Sequence, residues 1–163
     1  MGLPIRADVV NAFLIPAIEQ LRVLAGNDTT LERMELAREA PPAPYQLRMT
    51  IHGQVEGIVY WVFEPELVRT LATKMSRNGD EVGAHEDARL AAAISTLIGL
   101  ILGNARQALL AAGYSTDIDQ PERQADSLSF RAPGLPSLIV STPVGRARIT
   151  YGIRLAAPAA PHS

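Results

Sequence analysis

The chain of 163 residues and 17.5 kDa is 47% apolar and 20% charged, a balance that suits one globular domain and excludes both two large domains and a disordered polymer. Fifteen Lys and Arg against 17 Asp and Glu leave a net charge of −2, so no general field draws nucleic acid or anionic lipid. With no cysteine there is no disulfide frame, thiol nucleophile, iron–sulfur cluster or thiolate zinc site, which fits a reducing cytoplasm.

Residues 1–7 form an N-terminal extension without the basic start and apolar core of a secretory signal. The domain proper is expected to span 8–155. Asp8 is placed to cap a first helix of about Val9 to Ala25, in which Val10, Phe13, Leu14, Ala17, Ile18 and Leu21 recur at helical spacing. Pro16 predicts a kink or a later start, because it lacks the amide proton and crowds the preceding turn. A short edge strand follows between Thr29 and Ala40, ended by Pro41-Pro42-Ala43-Pro44. Leu47, Met49 and Ile51 alternate with Arg48, Thr50 and His52, the period of a strand with one wet face. The stretch Gly53 to Gly57 is expected to turn it back into Ile58 to Phe63, a strand apolar on both faces and therefore covered on both sides.

Glu64-Pro65-Glu66 opens a second helix that buries Leu67, Val68, Leu71 and Ala72 and breaks at Asn78-Gly79-Asp80. A third, long helix is predicted from His85 to Ala112, closed by Gly113. Within it Arg89 and Arg106 bracket sixteen uncharged residues, short of the roughly 20 that span a bilayer, so a helix buried in protein is expected. Strands follow near Leu128 to Arg131, Leu138 to Ser141 and Arg146 to Leu155, and the tail 156–163 is expected to be disordered. The order predicts an α+β fold: an antiparallel sheet of five to six strands with one long and two shorter helices packed on it.

Little in the chain carries chemistry by itself. His52, His85 and His162 have no metal-ligand spacing, no phosphate loop opens a helix, and no serine sits in a nucleophile elbow. Arg146, Arg148 and Arg154 share a strand face and read as a wet face that discourages aggregation, with an acidic partner as the other use. On the long helix Ser95, Thr96, Gly99 and Gly103 gather on adjoining parts of the surface. A helical glycine costs about 1 kcal/mol against alanine, so two call for a reason. Close packing against another element is the expected one, and a shallow groove for a partner is the alternative.

From Ala7 to Leu155 the sequence resembles the CheX family of chemotaxis phosphatases, relatives of CheC. The resemblance rests on Asn11 to Gly26 with its Asn-x-Phe start, on Met49 to Phe63 running into Met75, and on Gly103-Asn104-Ala105-Arg106 followed by Leu109 and Gly113. It implies binding of a phosphorylated CheY-like receiver and hydrolysis of its aspartyl phosphate by a Glu-x-x-Asn pair on the long helix. A carboxamide there positions the attacking water and a carboxylate pairs with the receiver's lysine. Aligned on Gly103-Asn104, those two positions hold Thr96 and Gly99. The resemblance thus implies a catalytically degenerate, cytoplasmic signalling domain without a catalytic residue, which meets its partner through Thr96, Gly99, Gly103 and Asn104. It needs no cofactor, any Mg ion belonging to the receiver. A homodimer is expected, with the last strands offering an edge to pair. Two alternatives stand beside this: an active receiver phosphatase with rearranged groups, and a non-enzymatic homodimeric scaffold that buries the Gly99 and Gly103 face. Neither nucleic acid nor membrane is an expected partner.

Overall fold

The computed structural model describes residues 7–36, 45–75, 86–123 and 135–155. In chain order these form α1 (Ala7–Ala25), β1 (Thr30–Leu36), β2 (Gln46–Gly53), β3 (Val55–Phe63), α2 (Pro65–Met75), α3 (Glu86–Ala111), β4 (Thr116–Ile118), β5 (Glu122–Arg123), β6 (Pro136–Thr142) and β7 (Gly145–Leu155). All strand pairs are antiparallel, in the order β1-β6-β7-β3-β2-β4, with the two-residue β5 also pairing β2. This is the predicted α+β architecture. One apolar cluster joins α1, α2 and α3 to the sheet face made by Met49, Val59, Trp61, Leu138 and Ile149.

Local chemistry explains the elements and several departures from expectation. α1 starts at Ala7, not later as Pro16 suggested, so Asp8 stands within its first turn and not at the expected cap; there its Oδ1 accepts from the Val9 amide at 2.9 Å and its charge complements the positive helix end. Pro16 is buried inside the helix, so packing outweighs the hydrogen bond it removes. Tyr151, stacked edgewise near Phe13, donates its hydroxyl to the Val10 carbonyl at 3.3 Å, and burial pushes its phenol far above the ordinary 10. Ile58, Tyr60 and Val62 on the second face of β3 are half-buried, not sealed, since the helix cluster occupies the other face. That second face still hides Gln46, Ser137 and Thr150, and the last two share a 2.6 Å hydroxyl hydrogen bond across β6 and β7.

The cationic stripe is paired across the sheet: Arg146 with Glu32 at 3.0 Å, Arg148 with Glu35 at 3.0 Å, and Arg154 with Glu56 at 2.9 Å. Exposed pairs of this kind are worth about 0–1 kcal/mol each and leave no concentrated field. β6 and β7, expected to offer a free edge, are interior strands, because β1 pairs β6 and β3 pairs β7. β4 and β5 escape sequence reading through their shortness. The expected strand at 128–131, the breaks at 41–44 and 78–80, and the tail 156–163 lie outside the described residues.

The segment from Gly53 to Gly57 is not all turn. Only Gln54 lies outside the strands, because Gly53 still pairs with Thr116 at the end of β2 and Gly57 is already in β3, opposite Ile51 on one side and Ile153 on the other. Its φ is +134°, and a Cβ there would stand 2.2 Å from the Gly152 carbonyl oxygen. Gly57→Ala is expected to destabilise the fold by about 2–4 kcal/mol, since backbone on a central strand cannot withdraw. Urea unfolding checks this, and a loss below about 1 kcal/mol would contradict the assigned geometry.

Candidate functional site

α3 is amphipathic in an unusual way. Leu90, Ile94, Leu97, Ile98, Ile101, Ala105 and Leu109 are buried against α1, α2 and the sheet. Ala88–Ala111 is long and apolar enough to cross a membrane, yet this face is packed on protein in the manner of a core helix. The opposite face exposes Ala92, Ser95, Thr96, Gly99, Gly103 and Gln107. No charge occurs from residue 90 to residue 105, although exposed helix faces ordinarily carry charged and polar side chains. The result is a low, neutral crest about four turns long.

The glycines do not serve internal packing, contrary to the expectation from sequence. A Cβ at Gly99 or Gly103 would meet nothing within 4 Å. Both stand on the side turned away from the core, and their cost in helix propensity is uncompensated by any contact there. The Thr96 hydroxyl donates to the Ala92 carbonyl at 3.0 Å, and the Asn104 amide donates to the Leu100 carbonyl at 3.2 Å. Both polar groups are thus folded back onto their own helix. Of the four residues singled out from sequence, Thr96, Gly99 and Gly103 share the crest, whereas Asn104 lies to one side, five residues and about 140° around from Gly99.

One flank of the crest is walled by the segment after β4, which sequence reasoning missed because three-residue strands carry no periodicity. A cavity of about 160 Å³ lies between Ser95, Gly99, Leu102 and Arg106 on α3 and Asp119 to Pro121. A second, of about 150 Å³, continues past Ser95 and Pro121 toward Tyr45 and Ile94. Arg106 Nη2 reaches the Ile118 carbonyl at 3.4 Å, and the Asp119 carboxylate meets His52 Nε2 at 2.9 Å, both near the surface. The wall is fixed further by the Asp119 amide, which donates to the Thr50 carbonyl at 2.9 Å. At the far end the tip of the β2–β3 hairpin holds the exit of α3, with Ser115 N–H on Gln54 Oε1 at 2.6 Å. His52 and Asp119 form a lone pair; among the described residues no three His, Cys, Asp or Glu side chains gather as a metal site.

The scaffold is therefore an antiparallel sheet backed by helices, one of which leaves a neutral face open. It is the fold of the CheX and CheC-like chemotaxis proteins. A CheC-like superfamily protein from Shewanella sp. PV-4 superposes with a TM-score of 0.74 at 19% identity, over 94% of this chain and 100% of that one. The chemotaxis protein CheX from Desulfovibrio desulfuricans gives 0.70 at 17% identity, over 91% and 99%. CheX from the Borrelia burgdorferi CheX–CheY–BeF3–Mg2+ complex gives 0.63 at 24% identity, over 91% and 99%. Compared by sequence, no family model and no curated protein matches the chain.

Proposed function

We propose that this chain is a CheX-like signalling domain that binds a phosphorylatable receiver of the CheY class through the crest of α3 without hydrolysing its phosphate. The observation that carries the reading is the pair of outward glycines on an uncharged helix face: a surface kept bare at a cost in helix stability suits close approach by another protein. The likeness to a CheX that was captured with CheY, BeF3 and Mg2+ supports a receiver as the partner, and the Mg ion then belongs to that receiver. The absence of catalysis follows from chemistry. Thr96 offers no carboxylate, Gly99 has no side chain to orient water, and the Asn104 carboxamide is bound to its own helix. The domain works in the cytoplasm in this reading, where receivers are phosphorylated, and it works as a homodimer.

The experiment is a pull-down of the cell's receiver proteins with and without beryllofluoride as the phosphate mimic. Capture of at least one receiver, stronger with the mimic, is expected. Failure to retain any receiver in either state contradicts the reading.

A further inference from the structure

The crest of α3 is neutral, but one of its flanks is not. Arg106 is the single Lys or Arg between residues 90 and 122, and it lines the same cavity of about 160 Å³ as Gly99. Seven residues bring the two to nearly the same side of the helix, two turns apart, and a helical side chain leans toward the N-terminus of its helix. The long Arg106 side chain thus runs back along the flank toward Gly99. The hydrogen bond it makes among the described residues, from Nη2 to the Ile118 carbonyl, is long at 3.4 Å and leaves most of the guanidinium fork without an acceptor.

The Ser95 hydroxyl and the Gln120 carboxamide line this cavity too, and among the described residues neither has a hydrogen-bond partner. Asp119, the one acid in the lining, has its carboxylate against His52 at 2.9 Å. The cavity therefore offers a cation and an excess of donors. It has room for several waters, and so for an oxyanion.

We infer that this cavity receives the phosphoryl group on the receiver's aspartate, and that Arg106 is the residue by which the domain tells the phosphorylated receiver from the unmodified one. The inference rests on the receiver reading above and supplies it with a phosphate contact. A guanidinium sets two parallel N–H donors on two phosphoryl oxygens, a fit that a point charge cannot copy. Gly99 matters to this contact, because a rim without a side chain lets a group carried on the partner's surface come within reach of Arg106. The phosphoryl oxygens are then held while no side chain at 96 or 99 positions a water in line, so the contact retains the phosphate instead of hydrolysing it.

A carboxylate on the partner would suit the same donors, but it would be there in both states of the receiver. Calorimetric titration with a captured receiver, with and without beryllofluoride, reads the ratio of the two affinities. The native chain is expected to favour the beryllofluoride form by at least about tenfold, and Arg106→Gln to bring the ratio close to one. Arg106→Lys, which keeps the charge and loses the fork, should fall between them. A native ratio near one overturns the inference. So does an Arg106→Gln or Arg106→Lys chain that keeps the native ratio while its affinity drops equally for both forms, the pattern of a brace on Ile118 or of a partner carboxylate. In either case the receiver reading still stands. A native chain that binds no receiver in either form overturns that reading and this inference together.

Discussion

A variant carrying Thr96→Glu and Gly99→Asn is expected to accelerate the decay of a phosphorylated receiver, while the native chain is expected to leave that decay at the receiver's own rate. Positions 96 and 99 are one helical turn apart on the same exposed face, so a carboxylate and a carboxamide placed there project together. The structure offers room for them: beyond the helix's own backbone no atom lies within 4 Å of a Cβ at Gly99, and the exposed Thr96 turns its hydroxyl back onto the Ala92 carbonyl. Phosphoryl transfer relies on positioning and charge more than on covalent chemistry from the protein. A group that holds the attacking water in line is worth roughly 100-fold or more, and the carboxylate facing the receiver's lysine adds a charge-assisted hydrogen bond. The decay of a radiolabelled receiver with substoichiometric protein separates the outcomes. Turnover by the native chain would refute degeneracy and send the search to other side chains; an inert double variant would mean that the receiver does not meet this turn of the helix.

Replacing Gly103 by arginine should act oppositely on folding and on binding. In an exposed helix interior arginine is favoured over glycine by close to 1 kcal/mol, and nothing stands within 4 Å of the new Cβ, so the unfolding midpoint should rise. Affinity for a receiver should fall at least about 100-fold, because a long cation on a neutral crest holds two backbones apart and must be desolvated to be covered. Gly99→Arg should behave alike. Calorimetric titration of each variant with the beryllofluoride form of a captured receiver, beside urea unfolding, measures the two effects. Unchanged affinity in both arginine variants would remove the crest from the interface.

Where periodicity was strong, the sequence was legible. The alternation of Leu47, Met49 and Ile51 located β2, and the two helices after β3 fell within a residue or two of their predicted limits. Pairing partners distant in sequence were not legible: β7 looked like an edge, yet it lies inside the sheet because β3, more than eighty residues away, pairs the side that its hairpin partner β6 leaves open. Gly57 read as part of a turn, since a glycine needed for a crowded strand and one needed for a loop leave the same letter. On α3, alanines, glycines and hydroxyl residues occur between the apolar ones all round the helix. Its sequence shows two glycines without showing whether they face the core or water, and only the packing of Leu97, Ile101 and Ala105 sets them outward. The wall from Ile118 to Pro121 depends on its bond to β2 and had no local signal.

The most direct test maps the contact on the chain itself, whose 17.5 kDa suits amide-resolved NMR. Titrating the isotope-labelled protein with an unlabelled receiver activated by beryllofluoride should shift the amides of Ala92, Thr96, Gly99, Gly103 and Gln107, with weaker changes at Asp119 and Gln120. The strands β1, β6 and β7 should stay still. Shifts confined to those strands, or none at saturating receiver, would contradict binding through the crest of α3.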